Sequence, residues 1–328
     1  ETENCRLTQS NRLEIAMTTV EEAELTPIET ASGRITRHAG ILSGQLRSLG
    51  TALFPPAASK SLRSFSSGEV AKIVRVSDGY LRQLSLDGLG PSPAIGHGGR
   101  RSYTLAQINE LRAYLAQARP REALDFFPRR RDGEKLQIIT VANFKGGSAK
   151  TTTALYLAQY LALSGLRVLA IDLDPQASLS AMFGYQPEFD IGQNETIYGA
   201  IRYDDQRRPM RDVVRPTYFD GIGLVPGNLE LMEFEHHTPR AMIERRERGH
   251  DLFFRRVATA IDQVADDYDV VVMDCPPQLG YLTMGALNAA TAMLVTIHPQ
   301  MVDVASMSQF LLMTSDLMSV IEEAGGRL

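Results

Sequence analysis

The sequence predicts an α/β fold, a mostly parallel sheet flanked by helices, with further modules ahead of it. Three observations carry this. Apolar, β-branched runs at 136–143, 167–172 and 268–274 read as buried parallel strands, each ending in polar residues. The first run opens into Phe144-Lys145-Gly146-Gly147-Ser148-Ala149-Lys150-Thr151-Thr152 and then into an Ala/Leu-rich stretch with helical spacing. Residues 59–118 have a different character, with two short helical segments and a Gly-rich basic tip.

The first strand and the helix after it frame a phosphate-binding loop. The helix runs from Thr151 to Ser164, with Leu155, Ala158 and Leu161 or Ala162 near helical spacing and Gly165 placed to end it. A loop between a strand and a helix N-terminus offers phosphate unpaired N–H groups and the positive end of a dipole. Gly146 and Gly147 let the backbone come close, Lys150 supplies a charge for the β- and γ-phosphates, and Thr151 a hydroxyl for Mg²⁺. The loop departs from the general G-x-x-x-x-G-K-[ST] pattern. Phe144 and Ala149 stand in the glycine positions, and Lys145 is an additional cation.

The second strand ends in Asp172-Leu173-Asp174-Pro175-Gln176. Alternate residues share a face, so Asp172 and Asp174 are expected to point into the crevice at the strand's carboxyl end, where open α/β sheets bind ligands. The third strand ends at Asp274, a carboxylate suited to a Mg²⁺ shell, and Cys275-Pro276-Pro277 stops it. Residues 222–227 read as a further strand, 228–237 as a helix and 292–297 as another buried strand. His236 and His237 diverge on that helix, which argues against a metal site. Residues 240–256 read as an arginine-rich helix with a solvated face, the alternative being a nonspecific DNA surface.

Residues 1–58 are polar apart from a stripe at Leu42, Leu46, Leu49 and Leu53, ended by Pro55-Pro56. That helix reads as a dimerisation arm or as a helix packed on its own domain. Residues 59–118 read as a winged helix-turn-helix. Ser67 is expected to cap a helix carrying Val70, Ala71 and Ile73, residues 74–76 make the turn, and Ser77 caps a second, groove-reading helix. Residues 96–103 form the wing, and Thr104 caps a last helix from Leu105 to Ala116. Between Lys60 and Arg101 there are seven basic and three acidic residues, in a chain of net charge −5. Such a local patch suits DNA. The DNA-facing set is Ser77, Tyr80, Arg82, Gln83, Arg100 and Arg101. The plainer alternative is a small helical domain with solvated arginines. Residues 119–135 read as a solvated linker, whose arginines could also touch phosphates.

Composition narrows the classes. A length of 328 residues accommodates two domains, and 44% hydrophobic with 22% charged residues supports a sizeable core. No apolar run approaches the ~18 residues of a membrane span, and the acidic start Glu1-Thr2-Glu3-Asn4 is unlike a signal peptide. Cys5 and Cys275 suggest a reducing cytoplasm.

Lys145-Gly146-Gly147-x-x-Lys150-Thr151, Asp172-Leu173-Asp174-Pro175-Gln176 and Asp274-Cys275-Pro276-Pro277 together resemble the ParA/MinD superfamily of deviant Walker P-loop NTPases. The resemblance runs from about Leu136 to the chain end. Residues 158–163 and 172–180 bring it nearest to ParA-type plasmid partition ATPases of the RepA group from repABC plasmids. It implies ATP/ADP and Mg²⁺ as cofactors and a homodimer that sandwiches ATP. Gly146, Gly147, Ser148 and Ala149 would line the nucleotide, and Lys145 would reach the partner's phosphates. Lys150 would be the loop lysine, Thr151 the Mg²⁺ ligand and Thr152 an α-phosphate contact. Asp174 would orient the attacking water, Asp172 would lie in or near the metal shell, and Asp274 would be the second-motif aspartate. Ala149 replaces the commoner family glycine, which some members also lack, so nucleotide binding is expected to persist, while a methyl there could crowd the loop and slow turnover. The winged module resembles the MerR-like operator-binding domain of larger ParA proteins. The implied partners are DNA, both operator and nonspecific, and a centromere-binding ParB/RepB-type protein, with no membrane. His298-Pro299-Gln300 resembles the base-binding neighbourhood, and family members usually continue beyond the last residue here. The alternatives are an ATP-sensing repressor without turnover and a MinD-like membrane-cycling regulator.

Overall fold

Period-two alternation along the central strands creates two apolar faces, and the rest of the architecture follows from what covers each. The computed structural model describes residues 30–53, 60–244 and 252–323. The chain divides into two units, residues 1–59 and 60–328. In the first, the described part is helix α1 (Ala31–Leu53). Its Leu42 and Leu46 are 59% and 54% exposed and its Leu49 is half-buried, so within this unit the first half of the stripe meets solvent. The side chain of Leu53 and the Pro55-Pro56 stop lie outside the described residues.

The second unit opens with β1 (Phe65–Ser66), α2 (Ser67–Val74), α3 (Asp78–Leu86), β2 (Ala94–Ile95), β3 (Arg101–Tyr103) and α4 (Leu105–Ala118). The small sheet is antiparallel in the order β1-β3-β2. The cap of α2 is Ser66, not Ser67. Ser66 is extended (φ −68°, ψ 158°), its hydroxyl accepts the Glu69 N–H, and the Glu69 carboxylate accepts the Ser66 N–H. Ser67 is already helical. Arg75 turns the chain in the left-handed region (φ 60°), and Ser77 caps α3 by accepting the Tyr80 N–H at 3.2 Å.

The stretch 119–135 is only in part a solvated connector: residues 131–135 are exposed, but the middle of the stretch is tied to the fold. Residues 120–126 are helical and bury Phe126. The Arg129 guanidinium (3.3 Å) and the Arg130 N–H (3.1 Å) both donate to Asp269, a residue only 3% exposed. Arg167 donates to the same carboxylate at 2.8 Å. Burial works against the ionised carboxylate, but hydrogen bonds from Arg167 and Arg130 outweigh it and hold Asp269 below the usual carboxylate range. These arginines neutralise a buried acid and are not free for DNA phosphates.

The main part contains β4 (Gln137–Ala142), α5 (Lys150–Leu163), β5 (Val168–Asp172), β6 (Arg215–Pro216), β7 (Ile222–Val225), α6 (Met232–Ile243), α7 (Arg256–Asp262), β8 (Val270–Asp274), α8 (Tyr281–Ala289), β9 (Ala292–Val295) and α9 (Met301–Glu323). The six strands lie in the order β6-β7-β5-β8-β4-β9, parallel except for β6 against β7. Leu169, Ile171, Val271 and Met273 face one core with Phe254, Val257 and Ile261. Val168, Ala170, Val270 and Val272 face the other, with Ala154, Leu155, Ala158 and Ala162 of α5. That second core continues into the amino-terminal module through Phe65, Val70, Leu81, Ile108 and Leu111.

Three further expectations need correction. The strand at Ala292 is the sheet edge, so it is only partly covered. Arg256 is buried and donates to the Ile201 and Arg202 carbonyls, so it belongs to the core and not to a DNA surface. Residues Asp303–Glu323 are long and apolar enough to cross a membrane by length and composition, with a mean hydropathy of 1.3. Within the fold, however, α9 buries Phe310 and Ile321 in the domain core.

Candidate nucleotide site

The loop between β4 and α5 is held by its own polar side chains. The buried Asn143 amide donates to the Thr296 carbonyl, and its oxygen accepts the Lys145 N–H at 3.0 Å. The Ser148 hydroxyl donates to the Lys145 carbonyl (3.1 Å) and accepts from Thr296 (3.1 Å). Gly147 is left-handed (φ 73°), which suits glycine. Ala149 is left-handed as well (φ 63°) and sits at the N-cap of α5. An L-residue with a Cβ pays for that conformation, so a glycine is the natural occupant here and Ala149 is a strained replacement.

The two lysines of the loop have separate environments. Lys150 is 7% exposed and donates to the Lys145 carbonyl at 3.1 Å. Desolvation lowers its pKa, while Asp274 and Asp174 attract the charge. Lys145 is 42% exposed at the side chain and forms an ion pair with the buried Asp303 of α9. The neighbouring Phe144 ring lies 5.7 Å from Phe310 on the same helix. Lys150 thus faces into the domain and Lys145 lies at its surface.

The carboxylates differ just as sharply. Parallel register places Asp172 beside Asp274. Asp172 is fully buried. It accepts the Asp174 N–H (3.2 Å), the Ser180 N–H (2.8 Å) and the Ser180 hydroxyl (2.7 Å). The same Ser180 oxygen accepts the Gly227 N–H at 2.9 Å. Burial pushes the Asp172 carboxyl up to about 6 despite these donors. Its oxygens therefore brace the backbone that carries Asp174, in place of the open orientation expected from strand alternation. Asp174 is half-buried and accepts the Gln176 N–H at 2.9 Å. Asp274 is also fully buried, yet among the described residues no donor reaches either of its oxygens in good hydrogen-bond geometry. Burial pushes it up to about 7. The nearby Thr151 hydroxyl and Lys150 pull it down without reaching bonding geometry, and Asp172 and Asp174 add repulsion. An orphaned buried carboxylate beside a threonine hydroxyl suits a divalent cation held through water. Thr152 is exposed on the first turn of α5.

In the winged module the DNA-facing set is partly committed. The Ser77 hydroxyl is spent on its cap, Gln83 donates to Asp87 (2.8 Å), and Tyr80 is half-buried under the Arg119 guanidinium at 4.7 Å. Arg82 and Arg100 are exposed and Arg101 is half-buried. Two bases of the patch face elsewhere: Lys60 donates to the Met182 carbonyl, and Arg63 forks onto Glu69 at 2.8 and 3.2 Å. Of the histidine pair, His237 bonds Tyr198 (2.8 Å) and approaches Glu233 (3.5 Å); no metal-ligating group of three or more occurs among the described residues.

Asn143, Ser180 and Asp303 were missed on the sequence. The sequence marks Asn143 only as the end of a strand. Ser180 lies eight residues after the acid it braces, and Asp303 is remote from the loop, so no local spacing marks either.

A family model described as an AAA domain matches residues 136–323. A Rhizobium rhizogenes protein bearing the name replication protein A is 55% identical over 291 residues, covering 89% of this chain and 72% of its own length. Protein SopA of Escherichia coli K12 is 33% identical over 275 residues, covering 82% of this chain and 68% of its own. A solved structure described as a partition protein matches with a TM-score of 0.61 at 24% identity, over 89% of this chain and 80% of that one, a likeness of fold.

Proposed function

Since the chain belongs to the ParA family of partition proteins, we propose that it is a Mg²⁺-dependent ATPase that segregates plasmid DNA through a nucleotide-controlled homodimer. The observation that carries this reading is the divergence of the two loop lysines: Lys150 is buried inward, while the Lys145 side chain is 42% exposed and, among the described residues, pairs with Asp303. Phosphoryl transfer needs charge compensation at the γ-phosphate and its leaving oxygen. In this reading Lys150 compensates within the subunit. Lys145 turns away from Asp303 to do so across the dimer, lowering the barrier by roughly 3 kcal/mol or more.

Asp174 orients the attacking water, and Asp172 with Ser180 fixes the backbone that aims it. Thr151 and Asp274 would hold Mg²⁺, which would supply charge neutralisation at the phosphates. The exposed Arg82 and Arg100 make the winged module the operator-binding part, which represses the protein's own operon. A centromere-binding ParB/RepB-type partner stimulates hydrolysis, and the ATP dimer binds DNA without sequence preference.

The test is Lys150→Ala in DNA-binding assays with and without Mg·ATP. It is expected to abolish every nucleotide-dependent change; unaltered behaviour overturns the reading. Lys145→Gln is expected to keep ATP affinity and lose turnover. No turnover in the unsubstituted protein, even with DNA and its partner, favours an ATP-sensing repressor.

A further inference from the structure

A buried polar contact between the winged module and the sheet domain falls at the far end of the phosphate helix. Arg112 of α4 is 2% exposed, among the largest fully buried side chains. Among the described residues no carboxylate pairs with it. Its guanidinium donates to the Leu163 carbonyl at 2.6 Å and to the Asn109 side-chain oxygen at 2.9 Å. Leu163 is the last residue of α5, the helix that begins at Lys150. The last-turn carbonyls of a helix lack intrahelical partners and carry the negative end of its dipole, so they can compensate a cation. The fit is close: a Cβ on Gly165 (φ 104°) would lie 3.2 Å from the Arg112 Cδ, Nε and Cζ. Asn109 extends the contact by donating to Asp220 at 2.6 Å.

The contact continues toward the groove-reading helix. Arg119, which ends α4, lays its guanidinium over the Tyr80 ring of α3 at 4.7 Å. A buried cation without an acid partner is expensive, and an apolar side chain of that volume would pack more cheaply. What the guanidinium adds is direction: it ties α4 to one end of α5. A helix is a stiff rod, here about 21 Å long at ~1.5 Å per residue. A tilt imposed at its phosphate end therefore displaces the Leu163 carbonyl.

We propose that Arg112 is the positioning residue through which nucleotide occupancy at the start of α5 is passed to α3. This rests on the nucleotide and DNA readings given above and adds the route between them.

Hydrogen–deuterium exchange with and without Mg·ATPγS tests it on the full chain. In the unsubstituted protein, nucleotide is expected to protect residues 143–152 and to change exchange in 78–86. Arg112→Met should keep the loop protection and reduce the change in 78–86 at least threefold. Arg112→Lys keeps the buried charge but loses the fork, and should give an intermediate loss. If the Met variant does not fold, the Lys variant decides. A full change at 78–86 in either folded variant overturns the proposal. So does a protected loop with no change at 78–86 in the unsubstituted protein. An unprotected loop overturns the nucleotide reading itself, and this inference with it.

Discussion

Ala149 sits where the backbone turns left-handed (φ 63°), and that single angle gives the loop's departure from glycine a physical meaning. An L-residue pays about 1–2 kcal/mol there, whereas glycine loses about 0.4–1 kcal/mol through a more flexible unfolded chain. Ala149→Gly is therefore expected to stabilise the protein by about 0.5 kcal/mol, and Ala149→Val to destabilise it, both read from urea unfolding. Equal midpoints for all three proteins would mean the loop relaxes around the methyl. Lys145 raises a second question at this scale. Its ion pair with Asp303 lies partly in solvent, so it is worth about 0.5–1 kcal/mol. If the pair restrains Lys145 from reaching a partner, Asp303→Asn should increase dimer formation with Mg·ATP by roughly two- to fivefold. Sedimentation would measure it, and a fall in dimerisation would show that Asp303 instead supports the loop.

The neighbouring strands β5 and β8 end in two buried acids side by side, and this pairing should make stability depend on pH. Both carboxyls are raised above the ordinary value near ~4, Asp172 to about 6 and Asp274 to about 7. The folded state thus keeps protons that the unfolded chain has released. Their contribution is full below pH ~4 and is lost as pH rises through about 6 to 7. The nucleotide-free protein is expected to lose up to about 4 kcal/mol between pH ~5 and ~8 through these groups. Asp274→Asn should flatten the upper part of that fall in thermal melts, and an unaltered slope would show that another group titrates. Elements of this kind were legible from the start. The strands before Asn143, Asp172 and Asp274 and the loop-to-helix step at Lys150 follow from apolar runs and loop chemistry, which are local. Which carboxylate would be braced and which left open was not legible, because Ser180 and the strand register decide it. The Ser66 cap was missed by one residue because two adjacent serines are equivalent until the backbone angle chooses between them.

At the scale of the whole molecule, segments distinct in composition share one interior. The boundaries drawn at residues 118 and 136 follow charge and proline content, yet the core crosses them through α5. Phe65, Val70, Leu81 and Ile108 of the winged module lie in the same cluster as Val168, Ala170 and Val272 of the sheet. Arg129 and Arg130 on Asp269, and Arg112 on Leu163, add polar ties at two places along that junction. None of these long-range partners is written in local spacing, which is why the stretch between the modules reads from sequence as a solvated linker. Independent domains would melt independently, whereas elements drawing on one core gain stability together. Residues 60–328 are therefore expected to unfold in a single calorimetric transition, and Val70→Ala in the module should lower the melting temperature of the sheet domain by several degrees along with its own. Nucleotide binds only one side of the junction, but under a shared transition Mg·ATPγS should raise the melting of both sides equally. Two resolved transitions, with only the later one moved by nucleotide, would show that the winged module is a separate domain despite the shared packing.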